Sequence, residues 1–136
     1  MSYPTALKQY YNNVNIKTID LREDSFAEEK TNYLETKLNY KPDIIITNPP
    51  FNIARDIIEK ALGDVSDNGY VVMLLRLNYF GGQVRKDMWD KQLPEYAFIH
   101  NKRMGFTDDG KRDSVEYMHC VWKKNCFPNF IKTKII

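Results

Sequence analysis

Apolar and polar positions along the chain change period several times, and each change predicts an element. Residues 43–47, Asp43-Ile44-Ile45-Ile46-Thr47, form a short apolar run that stops at Pro49 and Pro50. This is the pattern of a short buried strand whose pairing must end, because proline fixes φ and removes a backbone donor. From 52 to 62 the period lengthens: Ile53, Ile57 and Ala61, with Ile58 and Leu62 beside them, make one helical face. Arg55/Glu59 and Asp56/Lys60 add pairs at i,i+4 spacing. Gly63 and the Asp67-Asn68-Gly69 cluster end that helix, and Tyr70 to Leu75 then read as a strand buried on both faces. Strand, turn, helix and strand in this order make a βαβ unit.

Elsewhere the pattern predicts strands near 15–20, 95–100 and 115–122, a helix near 82–91, and an arm or helix at 3–12. Residues 22–40 have room for a short helix and an edge strand, and the last few residues are expected to fray. No helix separates the final two predicted strands, so the last should insert antiparallel into an otherwise parallel sheet. The 136 residues, 43% apolar and 13% aromatic, suffice for one α/β domain spanning 1–136 and leave little scaffold for a second.

Composition also narrows function. No run of 18 apolar residues exists and the start Met1-Ser2-Tyr3-Pro4 is not a signal peptide, so no membrane partner and an intracellular location are expected. Cys120 and Cys126 lack metal-ligand company and read as structural thiols. His100 and His119 stand alone in predicted strands, where satisfied core or edge histidines are the ordinary reading. Charge is uneven: residues 1–68 carry 8 basic and 11 acidic side chains, giving −3, whereas residues 69–136 carry 12 and 7, giving +5. Arg85, Lys86, Lys102, Arg103, Lys111, Arg112, Lys123 and Lys124 could form a phosphate-facing rim or an ordinary solvated surface. The polar segment from Asn101 to Ser114 is long for a hairpin and has the composition of a functional loop.

The sharpest chemical signal is Asn48-Pro49-Pro50-Phe51, a stiff polar turn tipped by an aromatic ring at the end of an apolar strand. Taken by itself it also fits a strand-ending turn with a core aromatic. In context it resembles the catalytic tetrapeptide of the S-adenosylmethionine-dependent amino-methyltransferases, above all the adenine-N6 DNA enzymes. Gly69 to Gly81, Lys102-Arg103, Phe106 to Lys111, Glu116-Tyr117 and Val121-Trp122 are similar to segments of small, often phage-encoded, members of that group. The likeness covers roughly residues 42–124.

That resemblance implies an α/β fold, a truncated Rossmann-like class I methyltransferase sheet, mostly parallel with an antiparallel last strand. It implies that Asn48 and the Pro49 carbonyl accept from the exocyclic amine, that Pro50 stiffens the loop, and that Phe51 stacks on the base. Asp20 would take the place of the acidic residue that binds the cofactor ribose. Asn32 and Tyr33 would lie at the cofactor's adenine, with Asn32 departing from the usual aspartate. Arg103, Lys111 and Arg112 would face DNA. Glycine first occurs at position 63, so the family's amino-terminal glycine-rich cofactor loop has no match, and S-adenosylmethionine binding is expected to be weak or absent. The chain therefore reads as a truncated adenine-N6 methyltransferase domain, a homodimer or a protein completed by a second chain. Two other readings stay open: an inactive relative that binds DNA or a partner protein, and a protein glutamine N-methyltransferase.

Overall fold

The structure is a computed structural model that describes residues 3–10, 14–19, 27, 31–102 and 115–136. It divides into two compact units, residues 1–40 and 41–136.

In the first unit, helix α1 covers Tyr3–Tyr10, as the apolar pattern of the amino-terminal arm predicts. Of the strand expected near 15–20, the described residues 15–19 show one bridge residue, Ile19, and no longer strand. A single 3₁₀ turn, Tyr33–Glu35, is the helix found within 22–40 among the described residues. Asn32 caps it: its side-chain oxygen accepts from Leu34 N at 3.1 Å, and its carbonyl accepts from Thr36 Oγ1 at 2.7 Å.

The second unit is built on a five-stranded sheet of order β1-β2-β4-β3-β5, with β1 at Ile44–Thr47, β2 at Tyr70–Arg76, β3 at Tyr96–Ile99, β4 at Tyr117–Lys123 and β5 at Lys132–Ile135. Strands β1, β2, β3 and β5 run one way; β4 inserts between β2 and β3 antiparallel to both, as the missing crossover helix requires. Helix α2, Ala54–Asp64, connects β1 to β2, and α3, Lys86–Lys91, follows a 3₁₀ turn at Gln83–Arg85.

Burial follows position in the sheet. β2 lies between two neighbours and buries Val71, Met73, Leu74 and Leu75, whereas β1 is an edge strand and leaves Ile44 half exposed. The buried strand expected at 43–47 is therefore half-buried from Ile45 to Thr47 and exposed at Asp43 and Ile44. α2 buries Ala54, Ile57, Ile58 and Ala61; its face is shifted toward Ala54 because Ile53 belongs to the preceding 3₁₀ turn. Arg55 and Glu59 pair at 3.2 Å as their spacing predicts, and Lys60 reaches Asp64 at 2.5 Å. Gly63 lies inside α2 and does not end it; the stop comes at Val65, whose N–H closes on the Ala61 carbonyl at 3.0 Å.

The tail does not fray. β5 pairs in parallel with β3, Ile136 N bonds the Ile99 carbonyl at 2.8 Å, and Asn101 N bonds the Ile136 carbonyl at 2.8 Å. All four β5 residues are exposed, so no hydrophobic period announces the strand and its backbone bonds carry it.

Candidate active site

The Asn48-Pro49-Pro50-Phe51 segment leaves β1 at its carboxyl end. Pro50 has φ −56° and ψ 135°, which directs the chain into a 3₁₀ turn at Phe51–Ile53, where Ile53 N donates to the Pro50 carbonyl at 3.2 Å. α2 starts at once behind that turn, so helix and strand hold the segment from both sides. Asn48 and Pro50 are exposed, Pro49 is buried, and the Phe51 ring is 46% exposed.

Asn48, Pro49 and Phe51 line one side of an open pocket of about 140 Å³ whose other walls are Leu74, Leu75 and Arg76 from the end of β2 and Tyr117 from the start of β4. The pocket thus sits at the carboxyl ends of two adjacent parallel strands, the usual ligand position in open α/β sheets. Whole-ligand sites typically span about 300–1,000 Å³. This one has the scale of a single flat ring.

Phe51 stands on an aromatic base. Tyr79, 2% exposed, meets it edge-on with centroids 5.5 Å apart at 83°; Trp89 packs on Tyr79 at 5.9 Å and stacks on Trp122 at 6.1 Å and 9°. Burial raises the Tyr79 hydroxyl above its ordinary range. Phe80 joins Trp89 at 5.1 Å, so of Asn78, Tyr79 and Phe80, which follow a parallel strand, the two aromatics are packing residues and Asn78 stays exposed. Two guanidiniums border the ring: Arg76 Cζ lies 5.8 Å and Arg85 Cζ 5.6 Å from its centroid.

A clamp fixes this floor. Arg55 on α2 donates to both Asp87 carboxylate oxygens, at 3.0 and 2.6 Å, and to the Val84 carbonyl at 3.0 Å. The paired charges hold Asp87 below and Arg55 above their ordinary values, chiefly through these hydrogen bonds. The i,i+4 rule shows the Glu59 partner of Arg55 but cannot show a partner 32 residues away.

The remaining predicted site residues distribute differently. Asn32 and Tyr33 are half-buried in the first unit, where the Asn32 side-chain oxygen is already used as a helix cap. Asp20, Arg103, Lys111, Arg112 and most of the 101–114 loop lie outside the described residues. No group of three metal-ligating side chains occurs among the described residues. Cys120 is buried and its thiol is pushed up to about 12 by that burial; Cys126 is half-buried, and both are free.

His100 and His119 do not stand apart. Phe98 faces His119 across the β3–β4 ladder, and His100 Nε2 comes within 2.7 Å of His119 Nδ1. Burial, then the neighbouring imidazole, lowers His119 to about 4; burial lowers His100 as well. One ring donates and the other accepts. The register that brings them together is set across a long loop, which hides it from the sequence.

Comparison with known proteins adds the fold. No protein-family model matches the chain, and no curated protein matches it in sequence. Among solved structures, a candidate class I S-adenosylmethionine-dependent methyltransferase from Listeria monocytogenes superposes with a TM-score of 0.52 at 13% identity, over 74% of this chain and 39% of that one. The M1.HpyAVI–SAM complex aligns with a TM-score of 0.40 at 19% identity, over 71% of this chain and 58% of that one. The chain spans about two fifths of the length of the Listeria protein. The first of these likenesses shows a Rossmann-like α/β fold of the class I methyltransferase type, the architecture that the strand–turn–helix pattern predicts. No described helix is long and apolar enough to cross a membrane.

Proposed function

We propose that the pocket holds the exocyclic amine of an adenine in DNA, and that the chain is an adenine-N6 methyltransferase domain using S-adenosylmethionine. The observation that carries this reading is the placement of an exposed Asn48 and a half-exposed Phe51 on one small open pocket at the carboxyl ends of β1 and β2. An adenine amine is a weak nucleophile because its lone pair is delocalised into the ring. The Asn48 side-chain oxygen and the Pro49 carbonyl would accept its two N–H groups and draw electron density back onto nitrogen. Phe51 would hold the heterocycle by stacking, worth about 1–3 kcal/mol against the few kcal/mol that base extrusion costs. This is alignment and electrostatic preorganisation, and it requires no histidine base. The paired imidazoles of β3 and β4 fit that economy, since their lowered affinity for protons keeps both neutral near pH 7.

Bound S-adenosylmethionine would supply an electrophilic methyl group. The described residues form no complete cradle for it, since the Asn32 oxygen is committed to its cap. The same observation favours a second reading, a methyltransferase-like protein that binds DNA without transferring a methyl group. Isotope-labelled S-adenosylmethionine offered to DNA, RNA and protein mixtures separates the alternatives. Label in DNA N6-methyladenine is expected; label in protein glutamine would overturn the substrate, and no transfer with DNA binding retained would leave the binding-only reading.

A further inference from the structure

We propose that Arg76 and Arg85 form a cationic rim around Phe51 that holds the backbone phosphates flanking the nucleotide whose base enters the pocket, which makes the substrate a polynucleotide strand and not a protein amide. This inference rests on the base-binding reading above and names the substrate class of the same site.

The two arginines differ in how they are held. Arg76 closes β2, lines the pocket and is exposed, and among the described residues its side chain makes neither a hydrogen bond nor an ion pair. Arg85 is anchored: its Nε donates to the Tyr79 carbonyl at 2.9 Å, its Nη2 donates to the Gly81 carbonyl at 2.5 Å, and its guanidinium lies 4.5 Å from the Tyr79 ring centroid. Those acceptors are neutral, so neither arginine is neutralised by a described carboxylate; the nearby Asp87 is held by Arg55. Gly82 permits the arrangement. It has φ +91°, and a Cβ there would come within 2.8 Å of Arg85 Nη2.

Packing does not account for both charges. A cation beside an exposed ring contributes about 0.5–1 kcal/mol, and Arg85 alone, seated on Tyr79 and Phe51, satisfies that role. Arg76 adds an exposed charge at the pocket mouth with no carboxylate partner among the described residues. Guanidinium groups with spare N–H donors match phosphate oxygens in geometry and charge. A glutamine side chain offers no anion to either of them.

The test is fluorescence anisotropy at a series of salt concentrations, using a labelled single-stranded oligodeoxynucleotide with one central adenine, the same strand abasic at that position, and a glutamine-containing peptide. Each phosphate contact to a single strand contributes about 0.7 to the slope of log affinity against log salt. Arg76→Gln should reduce the slope by about 0.7 on both strands, and Arg76→Gln with Arg85→Gln by about 1.4. Arg85→Lys should retain the wild-type slope. Phe51→Ala should keep the slope and lose the preference for adenine over the abasic site. Circular dichroism checks the Arg85 variants, and Arg76→Gln, which removes no internal bond, carries the test if they misfold. Unchanged slopes in Arg76→Gln, tighter binding of the peptide, or no wild-type binding to either strand would overturn the rim. Reduced slopes without any adenine preference in the wild type would uphold the phosphate contacts and sink the base pocket instead.

Discussion

Gly63 and Gly69, six positions apart where α2 leads into β2, should respond to alanine with opposite signs. At Gly69 an added Cβ would stand 2.8 Å from the Ser66 carbonyl oxygen and 2.9 Å from that of Asp43. Both oxygens are fixed, since Ser66 O accepts from Gly69 N at 2.8 Å and Asp43 O accepts from Tyr70 N at 2.9 Å. Relief requires moving backbone and weakening at least one of these bonds, which together should cost about 1–3 kcal/mol. At Gly63 nothing lies within 4 Å of the same atom, and the residue sits inside α2, so alanine should stabilise by up to about 0.5–1 kcal/mol. For a domain near 100 residues each kcal/mol moves the midpoint by about 4–8 °C. Thermal melts followed by circular dichroism should place Gly69→Ala below the wild type and Gly63→Ala at or above it. A Gly69→Ala protein that melts with or above the wild type would refute the close approach that joins the start of β1 to β2.

Isothermal calorimetry with S-adenosylmethionine should give weak binding to this chain, and a low-micromolar dissociation constant would contradict the expectation drawn from the unmatched glycine-rich loop and the capped Asn32 oxygen. A thiol reagent at pH 8 should label Cys126 in the folded protein and spare Cys120 until denaturation, because burial pushes the Cys120 thiol up to about 12. The histidine pair should make stability fall on acidification. His119 is lowered from 6.5 to about 4 by folding, so the unfolded chain binds more protons between those values and stability drops as pH falls from 6.5 toward 4. Urea melts of His119→Gln should show a smaller drop over that window than the wild type; an equal drop would assign the acid sensitivity elsewhere.

Where a periodic side-chain pattern decided the structure, the sequence was readable. The α2 face, the doubly buried β2 and the antiparallel insertion of β4 all follow from period, length and the missing crossover. β5 was not, because Lys132-Thr133-Lys134-Ile135 has no buried face and is held by backbone pairing to β3. The strand expected near Ile16 and Ile19 shows the converse: alternation of side chains is followed by a single bridge at Ile19 among the described residues. At the site, the proline turn was legible since its residues are consecutive. Arg85 was visible as a member of the basic rim, but its seat on Tyr79, the approach of Arg76 to Phe51 and the Arg55–Asp87 clamp were not, as they form only when β2, the turns after it and α2 are packed together. His100 and His119 likewise needed the β3–β4 register.

The central claim is that Asn48 accepts a hydrogen bond from a substrate amine. Asn48 is exposed, so Asn48→Ala should change stability by no more than about 0.5 kcal/mol. Removing one preorganised electrostatic partner from a reacting group typically costs about 10²–10³ in rate. The direct measurement is transfer of labelled methyl from saturating S-adenosylmethionine to adenine N6 in DNA, compared between wild type and Asn48→Ala proteins of matched melting temperature. Transfer by the wild type, reduced at least about 100-fold in the variant, is the predicted result; equal transfer by both, or none by the wild type, would contradict it.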